Sequence, residues 1–73
     1  MEVIIWSKEN CYSCEQAKIL LKQKGVEYQE RMIGKGWTKE DLLTVAPSAR
    51  SVPQIFFGDE CIGGYSELHR RIG

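Results

Sequence analysis

The sequence predicts a small α/β domain in which strands and helices alternate. Three observations predict this class: a continuous apolar run near the N-terminus, a segment of helical length directly after it, and a third segment in which apolar and polar residues alternate. Two strands joined by a helix in this way form a right-handed parallel βαβ unit. The full predicted order is strand, helix, strand, helix, strand, strand, helix.

The first half of the chain supplies the βαβ unit. The run Val3 to Trp6 is short and apolar, which suits a strand buried on both faces. A helix is expected from about Tyr12 to Lys24, because Gly25 directly after it is a residue that commonly ends a helix. The alternating segment, Val26 to Ile33, is predicted to be a half-buried strand at a sheet edge.

A short second helix is predicted in the middle of the chain. Thr38 is the expected N-cap, because acidic residues follow it in the first turn, and Pro47 closes the helix. Trp37 just before the cap is expected to pack onto Leu42, a structural role that we prefer to a binding role.

The last third predicts a hairpin and a closing helix. A strand from Val52 to Phe57 starts with a proline, and Gly58-Asp59 suits a two-residue turn with glycine first. Glu60 to Ile62 is the return strand. The helix is expected from Tyr65 to Ile72 with Ser66 as its cap, which would leave an anion site at its N-terminus.

The length and composition of the chain limit the classes of protein to which it can belong. A chain of 73 residues is expected to form one domain over residues 1–73. Ten basic residues balance ten acidic ones, so no basic surface indicates a nucleic-acid partner. No segment has the length of a membrane span, and the N-terminal run is too short for a signal peptide. Three cysteines cannot form a fully paired disulfide framework, so we expect a reducing, cytoplasmic compartment.

The motif that carries chemistry is Cys11-Tyr12-Ser13-Cys14. A Cys-x-x-Cys pair that follows a strand and opens a helix is the context of a redox site. The free backbone N–H groups and the positive end of the helix dipole stabilise a thiolate at Cys11. Cys14 shares an apolar helix face with Ala17 and Leu21, so it should point to the core. We therefore predict Cys11 as the exposed, attacking thiolate and Cys14 as the resolving thiol.

Two other interpretations of the cysteine pair stay open. The pair could be half of a zinc site, for which only Cys61 and His69 remain as further ligands, or it could be two unreactive thiols. We favour the redox interpretation and predict no metal ligands. Cys61 is expected to be a small buried or half-buried side chain, and His69 a solvated one.

Three marks in this order resemble the glutaredoxin family: Ser7-Lys8 before Cys11-x-x-Cys14, then Ser51-Val52-Pro53-Gln54, then Gly63-Gly64. The similarity extends over nearly the whole chain. It implies a thioredoxin-like fold, a four-stranded mixed sheet flanked by three helices. It also implies that Pro53 follows a cis peptide bond and faces the two cysteines.

The resemblance further implies a glutathione-dependent oxidoreductase with a binding groove beside Cys11. Lys8 matches the lysine that holds one glutathione carboxylate. The Val52 backbone matches the segment that pairs with the tripeptide, and the turn after the glycine pair matches the part that receives the γ-glutamyl carboxylate. The predicted glutathione-binding residues are Lys8, Tyr12, Val52, Pro53, Gly64, Tyr65 and Ser66.

Departures from the family pattern keep alternatives open. Tyr12 stands where proline is usual and Ser13 where tyrosine is usual, while Ser66 and Glu67 stand where aspartates are common. Some relatives without that proline bind a [2Fe–2S] cluster across a dimer, so a cluster carrier is the first alternative. A redoxin recharged by thioredoxin reductase is the second. Expected partners are glutathione and disulfide-containing or glutathionylated proteins, with ribonucleotide reductase as one client, and a monomer is expected.

Overall fold

The computed structural model describes residues 1–73 and contains four strands and three helices. The helices and strands are, in chain order, β1 (Val3–Ser7), α1 (Tyr12–Gln23), β2 (Gln29–Met32), α2 (Lys39–Val45), β3 (Gln54–Phe57), β4 (Glu60–Gly63) and α3 (Tyr65–Ile72). The order along the chain is the predicted one. None of the three helices combines the length and apolar character that a bilayer crossing requires.

The four strands form one mixed sheet in the order β2-β1-β3-β4. β1 and β2 are parallel, whereas β3 is antiparallel to both β1 and β4. The predicted edge position of β2 is confirmed, but the strand is shorter than the segment Val26 to Ile33. The reason is the pairing: Gln29 lies opposite Ile4 and Met32 opposite Ser7, so the residues before Gln29 have no partner in this ladder. Val26 instead packs against the core.

The side chains of β1 alternate between two cores, one on each face of the sheet. Val3 and Ile5 point toward α1 and α3, while Ile4 and Trp6 point toward α2. The first core contains Val3, Ile5, Ala17, Leu20, Leu21, Ile55, Ile62 and Leu68, and the second Ile4, Trp6, Leu42, Ala46 and Phe56. All five residues of β1 are buried, as the apolar run predicts for a central strand.

The second core is closed by α2 and two tryptophans. Thr38 caps α2 as predicted, with reciprocal hydrogen bonds to Asp41 of 3.1 and 2.9 Å. Trp37 packs on the core that contains Leu42 and meets Trp6 edge-to-face with ring centroids 5.3 Å apart. The guanidinium of Arg31 lies 4.4 Å from the Trp37 ring centroid and 5.3 Å from that of Trp6. Trp37 is thus structural, as expected.

A chain of polar contacts ties α1 to both strands of the parallel pair. The fully buried Ser7 hydroxyl donates to Glu30 Oε2 at 2.6 Å, and Lys18 Nζ lies 2.9 Å from the same oxygen. Burial alone would raise the pKa of Glu30, but the hydrogen bonds from Ser7 and Lys18 outweigh it and hold that pKa below its ordinary value of 4.5. Burial likewise would lower the pKa of Lys18, and its hydrogen bonds to Glu15 and Glu30 raise it instead.

We expect Glu30→Gln to lower the free energy of unfolding at pH 7 by about 1–2 kcal/mol, because a charged acceptor with two donors becomes neutral. The pKa of Glu30 is depressed in the folded state, so its contribution is present above the ordinary value of 4.5. That contribution disappears as the pH falls through the folded-state value. Urea unfolding of both proteins at neutral and at acidic pH measures it. Glu27→Gln, at an exposed and unpaired position, is the control. An equal gap between wild type and Glu30→Gln at both pH values would contradict the expectation.

Candidate active site

The two motif cysteines lie at the start of α1 and form a disulfide. Cys11 is the N-cap of the helix, and the Cα atoms of Cys11 and Cys14 are 5.2 Å apart. The backbone N–H of Cys14 donates to Cys11 Sγ at 3.2 Å, and the N–H of Glu15 donates to the Cys11 carbonyl at 3.1 Å. The sulfur therefore takes the place of the oxygen that usually caps a helix.

The two sulfurs have unequal surroundings, although Cys11 is less exposed than predicted. Cys14 is fully buried and Cys11 is 8% exposed, so the expectation of an exposed Cys11 is wrong while the order of the two is right. Cys11 Sγ lies 3.8 Å from the Val52 carbonyl oxygen and 3.8 Å from Ser13 Oγ, and these neighbours with the disulfide partner cover it. The sulfur nearer the surface is still that of Cys11.

The connection into β3 forms the wall opposite the cysteines. The Val52–Pro53 peptide bond is cis, as the family resemblance implied. Pro53 is buried, and the carbonyl oxygen of Val52 lies 3.8 Å from Cys11 Sγ.

Two clefts meet at this wall. The first lies between α2 and the connection to β3 and has Lys8 at its rim. The second lies between Ser13, Pro53 and the start of α3. Ser51 and Val52 line both clefts, so the two adjoin along the connection, and we refer to them together as the depression beside Cys11.

The structure distributes the predicted glutathione-binding residues over this depression. Lys8 lies in the first cleft, Val52 in both, and Pro53, Gly64, Tyr65 and Ser66 in the second. Tyr12 is 79% exposed and lines neither cleft. Ser13, a departure from the family pattern that was not among the predicted binding residues, lines the second cleft, and its position between the two cysteines was the available signal.

The start of α3 differs from the prediction. Ser66 does not cap the helix: the N-cap is Gly64, and its backbone N–H donates to Glu67 Oε1 at 2.8 Å. This bond, together with the backbone N–H of Glu67 itself, lowers the pKa of the Glu67 carboxyl. A carboxylate of the chain thus already lies at the predicted anion site. The signal was in the sequence, since Glu67 stands three residues after Gly64, the spacing at which a glutamate side chain reaches back to the N-cap N–H.

The bond between Glu67 and the Gly64 N–H also requires a glycine at position 63. Gly63 has φ of +109°, a conformation that side chains rarely adopt, and a Cβ built there would lie 2.9 Å from Glu67 Cγ. The glycine pair therefore allows the Glu67 side chain to fold back over the helix start.

The remaining cysteine and histidine lie apart from this chemistry. Cys61 is exposed rather than buried, contrary to expectation, because β4 is an edge strand, and its Sγ lies 3.5 Å from Gln54 Oε1. His69 is exposed, as expected, with its ring 6.0 Å from that of Tyr65. No three His, Cys, Asp or Glu side chains are grouped as metal ligands, so the zinc interpretation has no ligand set here.

Known proteins share the sequence pattern and the fold. The glutaredoxin family model matches residues 3–62. Glutaredoxin 3 of Escherichia coli (strain K12) is 39% identical over 67 residues, which cover 92% of this chain and 81% of that protein. Glutaredoxin 1 from Francisella tularensis, crystallised with cacodylate, superposes with a TM-score of 0.82 at 26% identity, over 96% of this chain and 90% of that one. A buckwheat glutaredoxin–glutathione complex has a TM-score of 0.82 at 27% identity, over 94% of this chain and 66% of that one. The predicted thioredoxin-like fold is confirmed.

Proposed function

Since this chain belongs to the glutaredoxin family and carries its redox-active cysteine pair, we propose that it is a glutathione-dependent thiol–disulfide oxidoreductase. It reduces protein disulfides and glutathione mixed disulfides through Cys11 and Cys14. The observation that carries the proposal is the position of Cys11 Sγ at the N-terminus of α1, where it accepts a backbone N–H at 3.2 Å. A group placed there is stabilised as an anion, and a thiolate is the form that attacks a disulfide.

The reaction proceeds by two displacements at sulfur. The Cys11 thiolate attacks one sulfur of the target disulfide, forms a mixed disulfide and releases the other sulfur as a thiolate. Cys14 loses its proton and attacks Cys11 Sγ, which releases the second target thiolate and leaves the Cys11–Cys14 disulfide of the structure. The target gains two electrons and the enzyme loses two. Two glutathione molecules then reduce the pair and become glutathione disulfide.

A glutathionylated target needs only Cys11. The thiolate takes the glutathione sulfur and releases the target thiol, and a second glutathione attacks the adduct to give glutathione disulfide. Cys14 takes no part in this cycle. The complete burial of Cys14 agrees with a role limited to attack on its immediate neighbour.

The depression beside Cys11 supports binding of a tripeptide with two carboxylates. Lys8 supplies a charge at one end, and the Val52 backbone lies next to the reacting sulfur. The buckwheat relative of the same fold was solved as a glutathione complex. At the α3 end, a γ-glutamyl carboxylate would have to share the Gly64 N–H with Glu67 or replace it.

The proposal extends to the compartment, the client and the oligomeric state. Recharging by glutathione requires a reducing compartment, which agrees with the cytoplasm expected from the composition. Ribonucleotide reductase is a client that we propose from the resemblance alone. We propose that the enzyme acts as a monomer. The cluster-carrier alternative rests on Tyr12, and the structure adds no observation in its favour.

The test is turnover of a glutathionylated peptide in two separate reducing systems, both supplied with NADPH. The first contains glutathione and glutathione reductase, and the second contains thioredoxin reductase. We expect sustained turnover by the wild type with the first system only. Cys61→Ser, at the exposed cysteine outside the site, should behave as the wild type. Turnover that depends on thioredoxin reductase and not on glutathione would show that the electron donor is wrong. A brown protein with a visible absorption band after anaerobic purification would favour the cluster carrier.

A further inference from the structure

The first cleft, on the α2 side of the site, is bordered by three cations. We call it the α2 groove and define its rim by Lys8 from the loop after β1, Lys39 from the first turn of α2 and Arg50 from the connection to β3. All three side chains belong to exposed residues. No aspartate or glutamate lines the groove, so its rim carries a single sign of charge.

These cations are not neutralised by the chain itself. The protein has four salt bridges, two formed by Lys18 and one each by Lys35 and Arg71, and none involves a residue of the rim. The whole chain has ten basic and ten acidic residues. The rim is therefore a local excess of positive charge on a protein that is neutral overall, and such an excess attracts acidic ligands.

The floor of the α2 groove is apolar. Five of its nine lining residues are hydrophobic: Ile33, Leu42, Leu43, Ala49 and Val52. Leu42 is nearly fully buried in the second core, while the other four are half-buried and present carbon to the cleft. An apolar side chain placed here would cover carbon that solvent now reaches, which favours binding.

The groove leads directly to the reacting sulfur. Val52 is part of its lining, and the Val52 carbonyl oxygen lies 3.8 Å from Cys11 Sγ. When the cysteine of a client polypeptide is bonded to Cys11, the client residues beside that cysteine can therefore reach this groove. Lys39 and Arg50 lie in the same groove as Lys8, so a ligand that extends beyond Lys8 meets further positive charge.

We propose that the α2 groove binds the client polypeptide beside its target cysteine and selects clients with acidic and apolar residues there. The inference rests on the proposed function, because it names the class of protein disulfide that Cys11 attacks. Acidic side chains pair with Lys39 and Arg50 at the rim, and an apolar side chain covers the floor at Leu43 and Val52.

The binding test needs no glutathione and uses the oxidised full chain. A short peptide with glutamates and a leucine beside a serine, which replaces the target cysteine, is titrated into the isotope-labelled protein and followed by NMR. We expect shifts at the groove residues and about tenfold tighter binding than for the same peptide with lysines in place of glutamates. The preference should shrink at high salt, because exposed charge pairs are screened.

Matched variants locate the effect. Lys39→Gln with Arg50→Gln should reduce the preference for the acidic peptide to about twofold or less, because only Lys8 remains at the rim. Lys22→Gln with Lys24→Gln removes the same charge at the far end of α1 and should keep the full preference. Equal binding of acidic and basic peptides by the wild type would overturn the proposal, and so would an unchanged preference in the Lys39/Arg50 variant.

Failure of this inference is distinguishable from failure of the proposed function. A wild type that reduces a glutathionylated small thiol but binds both peptides equally would overturn the groove proposal and leave the enzyme activity intact. A wild type that prefers the acidic peptide but is inert with glutathione would support the groove and overturn glutathione as the electron donor.

Discussion

Cys11→Ser should reduce turnover of a glutathionylated peptide by at least about a thousandfold, because the variant has no nucleophile at the N-terminus of α1. A serine hydroxyl at this N-cap accepts the Cys14 N–H as the sulfur does, so the helix start should survive. The measurement is the initial rate with glutathione in excess, coupled to glutathione reductase. Loss of activity with an unchanged circular dichroism spectrum assigns the effect to chemistry rather than to folding.

The paired variant Cys14→Ser separates the two reactions. It should retain turnover of the glutathionylated peptide, since that cycle uses Cys11 alone, and it should lose reduction of a protein disulfide, which needs the resolving thiol. Cys14 is fully buried, so the stability of this variant has to be measured alongside its rate. Retention of full activity by Cys11→Ser, or equal loss of the two reactions in a stable Cys14→Ser, would contradict the assigned roles.

Leu21→Ala should lower the free energy of unfolding by roughly 3 kcal/mol, a large part of the total for a domain of this size. Leu21 is fully buried and belongs to the core in which α1 meets β1, β3, β4 and α3. Removing its terminal carbons leaves a cavity in a core built from five structural elements, which cannot all move inward together. Urea unfolding followed by circular dichroism measures the change.

Ile19→Ala is the matched control on the same helix. Ile19 is 46% exposed, so its truncation removes few buried contacts and should cost less than about 1 kcal/mol. Alanine raises helix propensity at both positions, so a comparable loss in the two variants would contradict the assignment of the Leu21 effect to core packing. A small loss in Leu21→Ala alone would mean that the surrounding core rearranges to fill the cavity.

The parts that the sequence predicted well depend on neighbours in the chain. Helix α3 has the predicted bounds, Tyr65–Ile72, and α2 has the predicted cap at Thr38. Caps, turn residues and apolar spacing act over a few residues, so they can be predicted from the sequence without knowledge of the fold. The cysteine pair is of the same kind, since the spacing places both residues at the start of one helix.

The parts that it missed depend on residues brought together by the fold. Lys8, Lys39 and Arg50 belong to three separate segments, and nothing in the spacing of the three predicts a shared rim. The bond from Ser7 to Glu30 spans 23 residues in sequence and exists only because β1 and β2 pair. The cap of α3 is an exception, because the bond from Gly64 to Glu67 is local and its spacing was present in the sequence.

The two tryptophans give the protein an optical signal that reports on one face of its sheet. Trp6 and Trp37 are its only tryptophans, and both lie on the α2 side with Arg31 against their rings. Their fluorescence therefore follows the second core, whereas far-ultraviolet circular dichroism follows all three helices. Coincident unfolding curves from the two signals would indicate that the layers on both faces of the sheet melt as one cooperative unit. A lower midpoint by fluorescence than by circular dichroism would indicate that the α2 layer opens first.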